Sequence, residues 1–453
     1  MRTSSSSKVT AFTLPVSDLH RVCRDIAWSE LHAMPSVRRQ LAERLDTGTV
    51  SWSKDDLDID SLARMQLATA AATWCNAYDA GFEDLFLAKR NTTDWAEVMR
   101  RARLAGAAHF TFSSSGSTGA RKHIRHREDV LASEAMAWAQ IVNADLSVQR
   151  IVLLVPTHHI YGFIWGVLLP HALGKPVIEA ELSALPDLQT GDLIVAVPDQ
   201  WAWLAQAGET SKPWPSGVQG VSSTAPLAST VHSKLIANYA YNTPAKDDLI
   251  DDSIDDSTKY FTDNLTDNFV DSSSISRLSR LFQIYGSSET AGLAYRADPT
   301  APYTLAPGRS RCVNAAGEYQ IQLQLPNGAQ ATMAVQDELK WVNDTDFELQ
   351  RRSDYSVQVG GHNVSPDWAV KQLLKNTLVK EASVRLSTNH KPPKLKAFLV
   401  LNEEYLQANF AAQQTKLEQW IADTLPHYAT FSAITYGKEL PKSASGKLSD
   451  WEE

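Results

Sequence analysis

SSSGSTGARK, residues 113–122, is the stretch on which the reading of this chain turns. It follows an apolar-aromatic run around Phe110 and Phe112, and it crowds small hydroxyl residues and two glycines into one short loop. Gly116 and Gly119 allow turns and close backbone approaches barred to residues with a Cβ. Ser115, Ser117 and Thr118 offer hydroxyl donors and Lys122 a positive charge, a set suited to wrapping a polyphosphate. The G-x-x-x-x-G-K-[ST] order of a Walker loop is absent. Alone, the composition also describes a flexible Ser/Gly linker.

Working outward, 453 residues exceed one ordinary domain, and a length prior gives about three. A hydrophobic share of 43% is enough for full-sized cores. The formal net charge of −9 argues against a general nucleic-acid binder, which needs a basic face. Three cysteines, Cys23, Cys75 and Cys312, stand far apart without metal-ligand spacing, as in a reduced compartment. No run of eighteen apolar residues occurs and MRTSSSSKVT lacks a signal core, so the expectation is a soluble cytoplasmic protein without a membrane span.

Residues 1–105 read as helical, with Asp18 as a candidate cap and 61–80 rich in Ala, Leu and Met. From Phe110 the pattern becomes short apolar runs, IVLLVP (151–156), LIVAVP (193–198) and GVSSTAPL (220–227), separated by helical segments near 128–142 and 199–206. That alternation predicts an α/β domain over 106–351 with a parallel or mixed sheet covered on both faces. Ligands of such sheets gather at the carboxyl ends of the strands. Residues 242–275 are dominated by acidic and hydroxyl residues and predict a mobile insertion. Residues 306–350 predict a β-rich subdomain, and 352–453 a small, mobile α+β domain.

Four further segments come after the loop in order: VPTHHIYG (155–162), YGSSETAG (285–292), RRSDYSVQVGGHNVSP (351–366) and LPKSASGK (440–447). With the loop, whose residues 114–123 read SSGSTGARKH, they resemble the adenylate-forming superfamily of acyl-CoA synthetases, carrier-protein ligases and luciferases. The resemblance covers about residues 110–450. Arg121 and His123 depart from the family's usual Pro and Gly, Ser288 from its Thr, and Arg351 from its Gly.

The resemblance implies a two-step reaction. A carboxylate attacks the α-phosphate of ATP, giving an acyl-adenylate and pyrophosphate; a thiol then displaces AMP. Two anions must be brought together, so the site has to supply positive charge and in-line positioning. By the resemblance, Ser114, Ser115, Gly116, Ser117, Thr118, Gly119 and Lys122 form the phosphate loop. Thr224, Tyr285, Gly286 and Ser288 belong to the nucleotide site, and Glu289 holds Mg2+, a hard cation that prefers carboxylate oxygens. Asp337, in VQDEL rather than T-G-D-x-G, matches the ribose-binding acid, Arg352 the hinge-motif arginine and Asp354 the hinge. Lys447 matches the lysine that bridges carboxylate and α-phosphate. Because Lys447 serves only the first step, the terminal domain is expected to rotate between steps. His159 matches a position near the acyl carboxylate, and Tyr161 and Trp165 beside it suggest an aromatic wall suited to a flat aryl acid.

The loop begins early for this family, and DDLDIDSLARMQLATAAATWCNAYDAG (55–81) stands in front of it. Asp60, Ser61 and Leu62 resemble the D-S-L motif of an acyl carrier protein, which would make Ser61 a phosphopantetheine site. The alternatives are an ordinary helix start, where Asp and Ser are favoured caps, and a carrier-like fold retained only as structure or as a docking surface. The short front end and the aromatic wall are similar to the hydroxybenzoate–carrier-protein ligases of aryl polyene and xanthomonadin pathways. The leading expectation is therefore an ATP-dependent ligase joining a small acid such as 4-hydroxybenzoate to an acyl carrier protein. Its rivals are free coenzyme A as acceptor and a non-catalytic carrier-docking scaffold.

Overall fold

The computed structural model describes residues 14–32, 37, 49–52, 57, 59–115, 121–207, 214–236, 278–314, 317, 319–325, 328–335, 337–352, 357–359, 362–387, 389–390, 393–402, 410–441 and 450–452. Residues 242–275, the centre of the Ser/Gly loop (116–120), Asp354 and Lys447 lie outside them.

The amino-terminal part is helical. Helix Val16–Leu31 buries Leu19, Val22, Cys23, Ile26, Ala27 and Leu31, spacings of three and four that place them on one face. Asp18 lies inside its first turn and makes no cap bond, since Pro15 occupies the cap position. Helix Ser61–Trp74 is capped by Asp60, whose carboxylate accepts from the Ala63 amide at 2.7 Å. Helix Thr92–Leu104 starts on Asn91 in the same way. These helices share a hydrophobic core with the sheet domain: Leu19, Trp74, Trp95, Phe110, Phe163, Val195 and Phe282 belong to a single buried cluster.

Strands β1 (His109–Ser115) and β2 (Arg121–Arg127) form an antiparallel hairpin around the Ser/Gly loop. Helix Glu128–Val142 leads to β3 (Arg150–Leu153), then β4 (Val177–Glu179), β5 (Asp192–Ala196), β6 (Gln219–Ser222), β7 (Arg280–Ser287), β8 (Ala291–Arg296) and β9 (Tyr303–Leu305). Next comes a three-stranded sheet of β10 (Arg309–Val313), β11 (Tyr319–Gln324) and β12 (Gln330–Met333); β13 (Asp337–Trp341) and β14 (Asp346–Arg352) return to the main sheet. That sheet has nine strands in the order β13-β14-β9-β8-β7-β6-β5-β3-β4. The run from β4 to β7 is parallel and the remainder antiparallel.

Strands β3, β5 and β6 are buried on both faces, as continuous apolar runs predict, while β4 at the sheet edge is partly exposed. Ile151, Leu153, Leu193 and Val195 face the cluster that holds Phe163 and Trp165. The alternate residues Val152, Leu154, Ile194 and Ala196 face Trp201 and Leu204 of helix Pro198–Ala207. Beyond Arg352, β15 (Val357–Val359) and β16 (His362–Val364) pair with each other. Strands β17 (Val379–Ser387), β18 (Lys394–Leu401) and β19 (Phe431–Gly437) form a last sheet. With helices Pro366–Leu373 and Phe410–Thr424 this part has its own core, including Leu373, Leu399, Leu417 and Ile421. No helix among the described residues is long and apolar enough to cross a membrane.

Candidate active site

The sheet's topology locates a crevice. Strand β3 pairs with β4 on one side and β5 on the other, both in parallel, so the chain order reverses at its carboxyl end. The turn leaving that end is VPTHHIYG. His159 is exposed there, its ring 4.0 Å from that of His158, and it stands at the N-cap position of the short helix Ile160–Phe163 without a side-chain capping bond. Tyr161 is buried, its hydroxyl 3.1 Å from the Ala196 carbonyl and 3.0 Å from that of Val221, at the ends of β5 and β6. Gly162 is dictated by packing: a Cβ would lie 2.0 Å from the Pro156 carbonyl oxygen. Trp165, expected beside His159 as part of an aromatic wall, is instead core. It is 1% exposed and stacks on Trp138 at 5.6 Å. Helical periodicity turns it inward from the exposed start of the turn, which local composition could not reveal.

A second group of residues converges near the exit of β7. The β7–β8 turn carries YGSSETAG, with Glu289 exposed at its tip and Ser288 half-buried beside it. Ser287 and Thr290 tie the turn together, their hydroxyls 3.1 Å apart and the Ser287 amide donating to Thr290 Oγ1 at 3.0 Å. His126 Nε2 lies 2.7 Å from the Ser288 carbonyl oxygen, which joins strand β2 to this turn. Burial holds the His126 imidazole below its ordinary pKa, with the Ser288 carbonyl and nearby Glu289 opposing. Lys122 is exposed and stands four residues before His126 on the same strand, hence on the same face. Strand β2 of the hairpin therefore touches the Glu289 turn at His126. Ser114 and Ser115 end β1, with Ser114 opposite Lys122 in the register, while Gly116, Ser117, Thr118 and Gly119 lie outside the described residues.

Tyr285 and Asp337, distant in sequence, are bonded: the phenol donates to Asp337 Oδ2 at 2.6 Å. The Tyr285 ring is largely buried between Tyr303 and Phe347, while the following Gly286 is exposed. A Cβ on Gly286 would meet the Ala291 carbonyl oxygen at 2.0 Å, so the hairpin itself already demands glycine there. Asp337 is directly opposite Arg352 in the β13–β14 register, bringing together the acid and the arginine matched from separate motifs. Thr224 is exposed just past β6 with φ of 77°, a left-handed conformation strained for a β-branched residue. Ser61 is exposed at the first turn of the helix capped by Asp60.

Sequence reasoning missed Glu134. It is buried on helix Glu128–Val142, where Oε1 accepts from Trp138 Nε1 at 2.8 Å and from the Gly292 amide at 2.9 Å. Gly292 closes YGSSETAG, so Glu134 braces that motif from behind; a Cβ at Gly292 would come within 2.5 Å of its carboxylate. Burial pushes the Glu134 carboxyl up to about 7, against the nearby Arg309 guanidinium 4.0 Å away. The signal was present as an acid in the middle of a helix whose neighbouring buried residues are apolar.

Two turns that each depend on a glycine, VPTHHIYG and YGSSETAG, leave the carboxyl ends of β3 and β7 in the parallel part of the sheet. The fold is that of solved adenylate-forming enzymes. A double mutant of o-succinylbenzoate CoA synthetase from Bacillus subtilis aligns with 75% of this chain and 67% of its own, at TM-score 0.51 and 16% identity. An amide bond synthetase from Marinactinospora thermotolerans aligns with 76% and 68%, at TM-score 0.50 and 15% identity. No family model matches the chain. It is 31% identical over 395 residues, 86% of this chain and 87% of the relative, to a protein named 4-coumarate–CoA ligase from Halorhodospira halophila. A protein of the same name from Cereibacter sphaeroides is 29% identical over 427 residues, 93% of this chain and 90% of its own. The chain belongs to the adenylate-forming acyl-CoA synthetase superfamily.

Proposed function

We propose that this ligase activates a phenolic aryl acid, of the 4-coumarate or 4-hydroxybenzoate kind, and passes the acyl group to the thiol of coenzyme A. The observation that carries the reading is the meeting of the Ser/Gly hairpin with the Glu289 turn through His126 and Ser288. The names of the two relatives support the acid class and the acceptor. A carrier-protein thiol is the second reading.

In this reading Ser114, Ser115, Gly116, Ser117, Thr118, Gly119 and Lys122 hold the outer phosphates of ATP. Thr224, Tyr285, Gly286 and Ser288 hold the nucleoside and α-phosphate side, and Asp337 accepts from the ribose hydroxyls with Arg352 beside it. Glu289 suits Mg2+, which typically takes one or two carboxylates and completes its shell with phosphate and water. It is exposed at the tip of the turn, and no cluster of three or more ligating residues occurs among the described residues. A bound Mg2+ would supply charge neutralisation at the phosphate oxygens. The acid's carboxylate oxygen attacks the α-phosphorus while the bond to pyrophosphate breaks, with His159 beside the carboxylate and Lys447 between the two anions. The terminal domain, hinged at Asp354, then turns to admit the thiol; its sulfur bonds the acyl carbon and AMP leaves.

Exchange of labelled pyrophosphate into ATP, screened across carboxylic acids, tests this. Exchange is expected with 4-coumarate or 4-hydroxybenzoate, and Lys447→Ala removes it by at least about 100-fold, the loss typical of deleting one transition-state charge partner. Thiol transfer from supplied adenylate persists in that variant. No exchange across the whole panel would leave the scaffold reading standing. Supplying adenylate with coenzyme A or a holo carrier protein separates the two acceptors.

A further inference from the structure

We propose that Asp25, on the first helix, is a positioning residue that fixes the turn 157–159 and so sets the acid-binding crevice. This rests on the ligase reading only in taking His159 to border the acid. One carboxylate oxygen of Asp25, Oδ2, accepts from both the backbone amide and the hydroxyl of Thr157, each at 2.5 Å. The two residues are 132 positions apart, and Thr157 is fully buried. Arg24, which could compete for the carboxylate, is already ion-paired with Glu179 of β4. Cys23 and Arg24 on the same helix, Glu179 and Thr157 are the groups that face it. Burial pushes the Asp25 carboxyl up to about 6 even though both Thr157 bonds oppose that rise.

A buried carboxyl is costly where packing alone is needed. Here its two acceptor bonds are spent on one residue, two positions before His159. The next residue is held as well: Trp74 Nε1, at the end of helix Ser61–Trp74, donates to the His158 carbonyl at 3.0 Å. Two helices ahead of the phosphate loop thus each grip one residue leading into His159, at the point where the sheet order reverses. The amino-terminal region acts here as a brace for the crevice.

The test compares Asp25→Ala, Asp25→Asn and Thr157→Val by amide hydrogen exchange over 155–162 and by the KM for acid and for ATP in pyrophosphate exchange. Asp25→Ala is expected to speed amide exchange in that segment and raise the acid KM about tenfold, a factor equal to about 1.4 kcal/mol, with the ATP KM unchanged. Asp25→Asn restores both, because the amide oxygen accepts the same two bonds. A folded Asp25→Ala variant with unchanged acid KM overturns the proposal, as does an equal rise in both KM values. Where Asp25→Ala does not fold, Thr157→Val deletes one donor with little change of shape; it should raise the acid KM in the same direction, and no rise overturns the proposal. If the wild type exchanges with no acid, the ligase reading fails, and the amide-exchange arm still decides whether Asp25 fixes the turn.

Discussion

Thr224 shows how much a single residue is asked to bear in this site. Its left-handed backbone, at φ 77°, comes directly after β6, where Ser223 donates its hydroxyl to the Ile284 carbonyl of β7 at 3.2 Å. A β-branched residue held there costs roughly 1–3 kcal/mol, which persists only where the surroundings enforce it. Thr224→Gly should therefore raise unfolding stability by about 1 kcal/mol while lowering adenylate formation, read by denaturant unfolding beside pyrophosphate exchange. A variant no more stable than the parent would mean that the turn carries no strain. Gly286 makes the complementary point. The family resemblance assigns it to the nucleotide site, yet the Ala291 carbonyl across its own hairpin already excludes a side chain. The resemblance identified the residue, but the reason for it is a cross-strand contact.

Among elements, helix Ser61–Trp74 joins a local start to a long-range packing role. At its start, in the D-S-L triplet that is similar to a carrier-protein motif, Asp60 works as an N-cap on Ala63. The far end of the helix is committed to the large core: Trp74 lies 5.0 Å from both Phe110 and Phe163. Trp74→Ala is expected to cost about 3–5 kcal/mol, the usual range for emptying such an aromatic site. Chemical denaturation checks it, and a loss under about 1 kcal/mol would separate this helix from the core. The same indole bonds the His158 carbonyl, so acid-dependent activity should fall along with stability.

Over the whole molecule, buried carboxyls make stability depend on pH. Asp25 goes from about 3.8 in the unfolded chain to about 6 when folded. Between those values the native state holds the extra proton, so this contribution is present below 3.8 and is lost as pH rises through 6. Buried histidines such as His126 and His232, pushed down by burial, act with the opposite sign. Comparing Asp25→Asn with wild type cancels those terms. The stability advantage of the variant should grow from pH 4 to about 7 by up to about 3 kcal/mol, at about 1.4 kcal/mol per pKa unit, and be flat above. An advantage independent of pH would show that Asp25 titrates normally.

Five ordered motifs carried the family resemblance, and the β/α alternation after Phe110 with the apolar runs at 151–156 and 193–198 determined the sheet, because strand periodicity acts over a few neighbours. Only the tertiary structure decided that the amino-terminal helices share the sheet's core, that Trp165 turns inward, and that Glu134 and Asp25 reach YGSSETAG and VPTHHIYG. Each of those depends on a partner more than a hundred positions away or on which face of a helix is covered, and neither is encoded in local spacing.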